Sequence, residues 1–212
     1  DLDRALARTL RTRFRLGMFD ASTEYDDIDY SVVACKKHKE LCLEAARQSL
    51  VLLKNDGILP LDKKYVKTVA VIGPNGDSKE MLLGNYNGLP THYSTVYSGF
   101  CELMGEENVR YAKGCNYFGA DQDELIYNAA SLAGECDVTV LCLGLDASFE
   151  GEQGDASNPY CAGDRMSIDF PDSQLHLLKK VCEASDNVIV AVFSGGMFNL
   201  TSADKSANAV FQ

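Results

Sequence analysis

The chain has 212 residues, 46% hydrophobic and 24% charged, with a net charge of −11. That length holds one domain, or one plus part of another, with a core large enough to fold without disulfide or metal staples. The acidic balance speaks against nucleic acid and anionic lipid as partners, and the longest apolar runs, Val138–Leu145 and Val188–Phe193, are far too short to span a bilayer.

In chain order, the first element is an amphipathic helix. Leu2, Leu6, Leu10 and Phe14 recur at i, i+4 spacing, with five arginines against three acids over residues 1–20. No apolar core or small-residue cleavage site is present there, so the segment is not read as a signal peptide. Leu16–Asp20 ends that helix, and Thr23–Tyr30 is an acidic, polar linker. A long helix is expected from about Val33 to Lys54, with Ala34, Leu41, Ala45, Leu50 and Leu53 broadly on one side. Asn55-Asp56-Gly57 stops it, and Ile58–Leu61 follows as a short apolar anchor.

Beyond this point strands and helices alternate. Val66–Ile72 is β-rich and runs into the turn cluster Gly73-Pro74-Asn75-Gly76. Val109–Ala112 is a short strand, and Leu125–Ala133 reads as a helix. Asp137–Gly144 has the continuous apolar character of a strand covered on both faces. Ser173–Ala184 reads as a helix, with Asp172 as its N-cap and Leu175, Leu178 and Val181 turned inward. Asn187–Ser194 is another two-sided strand, and Val210-Phe211 begins one more. This alternation predicts an α/β fold: a doubly wound, mostly parallel sheet with helices on both faces, and a ligand site beyond the carboxyl ends of the strands. The chain starts at Asp1 rather than Met and stops inside an apolar run at Ala207–Gln212, so a piece of a longer protein is expected.

The eight cysteines include no C-x-x-C, so zinc-ribbon and thioredoxin motifs are unsupported. Reduced, buried thiols are the favoured reading, with a disulfide set as the alternative. The expected location is cytoplasmic, with secretion as the alternative. Asn199-Leu200-Thr201 is a glycosylation acceptor only in a secreted chain, and chance explains so short a pattern better.

Chemistry is sought at three strand ends. Gly73–Lys79 lacks the Walker and dinucleotide fingerprints and reads as a strand-to-helix turn. Gly84-Asn85-Tyr86-Asn87-Gly88 is a polar loop carrying one aromatic residue. After the strand at 137–144, Asp146, Glu150, Glu152 and Asp155 gather in a long stretch that reaches Asp164-Arg165 before the next helix. Long ordered connections are usually functional. Carboxylates at that point can act as a general acid or base, bind Ca²⁺ (without EF-hand spacing), or simply face solvent. His38, His92 and His176 share no triad or ligand spacing, and His38 and His176 read as surface residues of helices.

These motifs together resemble glycoside hydrolase family 3. Arg13–Asp20 is similar to the end of that family's barrel domain. Glu44–Asn55 with Gly57–Leu61 is similar to the opening of its second domain, and Val69–Asn75 to that domain's first strand and turn. Gly144-Leu145-Asp146, Glu150-x-Glu152, Asp164-Arg165 and Asp169-Phe170-Pro171 resemble its active-site loop, and Ser194-Gly195-Gly196 a later strand end. Within the family, Gly84-Asn85-Tyr86-x-Gly88 and Glu150-x-Glu152 resemble the β-xylosidase and arabinosidase branch. One departure is that Asp164-Arg165 follows the glutamate pair only after Gly154-Asp155, which leaves open which acid meets the sugar.

The resemblance implies a retaining, exo-acting β-glycosidase, most simply a β-xylosidase, acting on a β-linked oligosaccharide or xyloside without a cofactor or metal. It implies an aspartate nucleophile on a barrel domain outside this chain. Residues 1–20 would be the barrel's tail, 21–32 a linker and 33–212 an α/β sandwich domain truncated at its C-terminal end. Glu152 is expected as the general acid/base, with Glu150 as the alternate. Asp155, Asn85 and Tyr86 are the expected substrate-binding residues, and the chain alone is expected to be inactive. The rival readings are a non-catalytic carbohydrate-binding or structural module and a nucleotide-binding domain, the latter without its fingerprints.

Overall fold

The computed structural model describes residues 1–84, 86–119, 122–149, 165 and 167–212. The chain divides into two compact units, residues 1–49 and 50–212.

Residues 1–49 contain two α-helices of equal length, α1 (Leu2–Arg15) and α2 (Lys36–Ser49), and neither buries a single residue. Gly17 ends the first helical segment with a positive φ of 71°. Its N–H reaches back to the Phe14 carbonyl, as expected of a glycine just past a helix. The Phe14 and Phe19 rings then meet, with centroids 4.5 Å apart. The helix expected to continue to Lys54 stops at Ser49.

Residues 52–55 instead form strand β1 (Leu52–Asn55), the first element of the second unit. It is followed by β2 (Val69–Ile72), α3 (Val96–Met104), β3 (Val109–Ala112), α4 (Asp123–Gly134), β4 (Val138–Gly144), α5 (Asp172–Ala184), β5 (Val188–Phe193), α6 (Thr201–Ser206) and β6 (Ala209–Phe211). The six strands form one sheet in the order β1-β6-β5-β4-β2-β3. Only β1 runs antiparallel to its neighbour, β6. The other four pairings are parallel, and β4 lies near the centre, pairing with β2 on one side and β5 on the other.

Every residue of β2 and β4 is buried, which is why their sequences are nearly uninterrupted apolar runs. Alternate residues face opposite layers. Ala70, Ile72, Leu141, Leu143, Val190 and Val210 pack with Ile126 and Ala129 of α4, Leu177 and Val181 of α5, and Ala203 of α6. On the opposite face Val69, Val71, Val140 and Cys142 pack against Tyr97, Phe100 and Met104 of α3. Farther along that face, Ile58, Leu59 and Leu61 cover Val138, Ile189 and Ala209. The expected doubly wound α/β arrangement is therefore present.

Two expectations for α5 need correction. Pro171, not Asp172, occupies the N-cap position, and Asp172 is the first helical residue, without a side-chain cap bond. Its innermost residues are Gln174, Leu177, Leu178 and Val181, while Leu175 is only partly buried. Helix α3 is anchored by a reciprocal cap in which the Thr95 hydroxyl accepts from the Ser98 N–H at 3.1 Å and the Ser98 hydroxyl accepts from the Thr95 N–H at 2.9 Å.

The seven described cysteines are free thiols. Burial pushes Cys115 up to about 12 and Cys182 up to about 11, so both are inert small hydrophobes at neutral pH. Among the described residues no helix is long and apolar enough to cross a membrane.

Candidate functional site

The chain leaves β2 toward β3 on one side of the sheet, then returns through α4 to β4 on the other side of β2. In doubly wound sheets such a reversal marks the crevice that binds ligands, here the region beyond the carboxyl ends of β2 and β4.

Glycines at two adjacent strand ends make the crevice geometrically possible. Gly73 follows β2 with φ 115°, and a Cβ there would overlap the Cys142 carbonyl. Gly144 ends β4 with φ 125°, and a Cβ there would overlap the Phe193 carbonyl of β5. Neither position accepts a side chain. Gly144 is further clamped by Gln174, which is wholly buried: its Oε1 accepts the Gly144 N–H at 2.8 Å and its Nε2 donates to the Gly144 carbonyl at 2.7 Å. A buried amide with both halves satisfied fixes a backbone without leaving an orphaned polar group.

Polar side chains then converge on the two turns. Asn75 is 0% exposed, and its Oδ1 accepts the Tyr117 hydroxyl. Its Nδ2 has no partner among the described residues. Burial, and after it the nearby Asp146 carboxylate, raises Tyr117 above the ordinary phenol range, so it remains a donor at all working pH. Asp77 accepts the Thr95 hydroxyl at 2.6 Å, tying the turn after β2 to the cap of α3. After β4, Asp146 accepts the Ser148 N–H at 2.9 Å in an Asx turn. The Phe149 ring follows, with centroids 4.9 Å from Tyr117 and 5.1 Å from Phe118.

Next to this crevice is the end of β5. Arg165 donates to the Met197 carbonyl and lies 4.4 Å over the Phe198 ring, which stacks on Phe170 at 4.6 Å. Its Nη1 is buried without a hydrogen-bond partner among the described residues. Asp169 accepts from Asn199 at 2.8 Å and from Ser167 at 2.9 Å, and these bonds hold its carboxyl below the usual range. Asn199 also accepts the Thr201 N–H and hydroxyl, so its side chain organises the start of α6.

Of the residues expected at the site, Asn85, Glu150, Glu152 and Asp155 lie outside the described residues. Tyr86 stands fully exposed on a backbone with φ 61°, a left-handed conformation uncommon for a tyrosine. The sequence reading missed Asn75, Tyr117 and Gln174 as site-forming residues. Gln174 carried the one usable signal, a polar residue at a core-facing helix position between Phe170 and Leu177. Among the described residues no three His, Cys, Asp or Glu side chains gather as metal ligands.

The fold and crevice define a doubly wound α/β domain that presents polar groups at the carboxyl edge of its sheet. Residues 50–212 match the family model of the glycosyl hydrolase family 3 C-terminal domain, and the chain belongs to that family. Among curated relatives it is 35% identical to β-D-xylosidase 3 of Arabidopsis thaliana over 99% of this chain and 26% of that protein. It is 34% identical to a β-xylosidase of Formosa agariphila over 92% of this chain and 27% of that one. A solved exo-β-xylosidase, XlnD in complex with a xylobiose aziridine activity-based probe, superposes with a TM-score of 0.78 at 31% identity, over 91% of this chain and 24% of that chain. A Listeria innocua β-glucosidase in complex with glucose superposes with a TM-score of 0.79 at 26% identity, over 99% of this chain and 27% of that chain. The chain thus spans about a quarter of the length of the curated relatives it matches.

Proposed function

We propose that this chain is the part of a retaining, exo-acting β-xylosidase that supplies the general acid/base, with Glu152 in that role. The nucleophile then belongs to a barrel domain outside residues 1–212, of which residues 1–20 form the tail and 21–32 the linker. The observation that carries the reading is the position of β4. It adjoins the crevice and ends at Gly144, and the carboxylate-rich sequence Glu150–Asp155 begins six residues later in the chain. The named β-xylosidases among the relatives favour a xyloside as substrate.

A retaining glycosidase holds two carboxyl groups about 5–5.5 Å apart, one on each side of the sugar. In the first step the barrel aspartate attacks the anomeric carbon while Glu152 gives its proton to the departing oxygen. In the second step Glu152, now ionised, takes a proton from the water that displaces the aspartate. A neighbouring carboxylate raises the pKa of an acid, and Glu150, two residues along the chain, is the candidate for that neighbour. Asn85, Tyr86 and Asp155 contact the sugar.

The test is made in the protein joined to its barrel. Glu152→Ala lowers turnover of xylobiose by about 10²–10⁴. It spares the first step for aryl xylosides with good leaving groups, and added azide restores their turnover. Azide rescue of Glu150→Ala but not of Glu152→Ala reverses the assignment. Steady turnover of an aryl β-xyloside by residues 1–212 alone, above a heat-killed control, overturns the division of labour between two domains.

A further inference from the structure

At the amino edge of the parallel strands, opposite the crevice, a hollow of about 550 Å³ opens. The β1–β2 connection meets the starts of β4 and β5 and the ends of α4 and α5 there. Ile58, Leu61, Val66 and Ala133 give it apolar walls, and Asp62, Tyr65, Asp137, Ser185, Asp186 and Asn187 line the rest. The volume is in the usual range of a small-molecule site. The seven residues of β4 separate hollow and crevice by about 20 Å, at roughly 3.3 Å per residue, so no small ligand touches both.

We propose that this hollow is a second carbohydrate site, which holds a neutral stretch of xylan away from the catalytic crevice. It goes beyond the catalytic reading and rests on it only for the choice of xylan as the sugar. The carboxylates fix the charge of the ligand. None of Asp62, Asp137 and Asp186 forms an ion pair among the described residues. The Thr68 and Lys67 backbone N–H groups hold the Asp137 carboxyl below the usual range, so it stays ionised. Nearby, Lys63 and Lys67 spend their ammonium groups on the Leu103 and Lys63 carbonyls, at 2.7 and 3.0 Å. An anion is therefore repelled. A single metal cation fits no better, because among the described residues no three such side chains gather at one point. Carboxylates spread around a hollow suit donors spread around a ring, as sugar hydroxyls are.

The polar groups are held in place before any ligand arrives, which lowers the cost of binding. Asp137 Oδ2 accepts the Lys67 and Thr68 N–H groups at 2.8 and 2.9 Å, and Asp62 Oδ1 accepts the Lys64 N–H at 2.8 Å. The other oxygen of each is left to accept from a ligand. Asn187 donates its Nδ2 to the Asp137 carbonyl at 3.0 Å, which leaves its amide oxygen to do the same. Ser185 Oγ accepts the Asn187 N–H at 3.4 Å and keeps its own proton to give. Tyr65 is 70% exposed, and its N–H is tied to the Asp62 carbonyl at 2.9 Å. Lys64 takes one face of the ring, 5.1 Å from its centroid, which leaves the other for the C–H side of a sugar.

The experiment compares Tyr65→Ala, Tyr65→Phe and Asp186→Ala in the protein joined to its barrel, with thermal melting to count folded enzyme. Soluble xylan in a native gel retards the protein, and the concentration giving half retardation measures binding. Tyr65→Ala and Asp186→Ala are expected to raise that concentration by about fivefold or more, and Tyr65→Phe, which keeps the ring, by less than about twofold. All three keep kcat/KM for a nitrophenyl β-xyloside within about twofold, because that substrate fills only the crevice. Xylan adds hydrogen-exchange protection at residues 58–66 and 184–187 in the parent protein and not in Tyr65→Ala. If Tyr65→Ala does not fold, Asp186→Ala carries the same comparison.

Unchanged retardation in both alanine variants overturns the proposal, as does an equal loss of retardation and of xyloside turnover. Full protection of residues 58–66 and 184–187 without xylan also overturns it, because another part of the protein then fills the hollow. Should the parent protein fail to turn over the xyloside while both alanine variants lose retardation, the catalytic reading falls and the second site stands. Should turnover be normal and retardation indifferent to both substitutions, the second site alone falls.

Discussion

Leu177 of α5 is 0% exposed, whereas Leu6 of α1 is 53% exposed, although both sit on apolar stripes at helical spacing. The same contrast holds for whole units. Residues 50–212 enclose a core on both faces of a sheet, and residues 1–49 bury nothing. Amphipathic spacing says that a helix face wants cover; only the sheet unit contains the surface that covers it. Sequence periodicity therefore reports a demand for burial, and the rest of the chain decides whether the demand is met.

Three substitutions break or sharpen that contrast. The largest effect belongs to Gly144→Ala. It combines a positive φ with overlap onto the Phe193 backbone, which cannot move without separating β4 from β5. A loss of more than about 4 kcal/mol is expected in denaturant unfolding of residues 50–212. A native-like midpoint would show that the strand ends are less rigidly paired than the close approach implies. Leu177→Ala comes next, at about 2–5 kcal/mol, because it opens a cavity between α4, α5 and the sheet. Leu6→Ala is the smallest, within about 0.5 kcal/mol for residues 1–212, since its side chain has little burial to lose. Were Leu6→Ala to cost as much as Leu177→Ala in that chain, α1 would have a covered face after all.

The parallel strands were legible because burial on both faces forces long apolar runs, as in Val138–Gly144 and Val188–Phe193. Strand β1 was not. Leu50 and Leu53 continue the spacing of α2, and what makes residues 52–55 a strand is pairing with β6, more than 150 residues later. Nothing local encodes that partner. Helix α3 was missed because Val96, Tyr97 and Phe100 are common strand formers, although Thr95 and Ser98 carried a readable cap. At the site, Gly73 was visible as a turn residue and Gly144 as the end of a strand, but their purpose emerged only from the neighbouring carbonyls. Tyr117 meets Asn75 from 42 residues away, a contact no spacing rule anticipates.

Phe149 and Arg165 both rest on the carboxyl edge of one sheet, the first against Tyr117 and the second against Phe198. Closing a loop between fixed ends costs free energy only as the logarithm of its length, about 0.6 kcal/mol for each doubling. Two points held this firmly can therefore take connections of different length at little penalty to the fold. For an engineer they are two defined splice points. For a lineage they are points between which sequence can change while the architecture beneath stays the same.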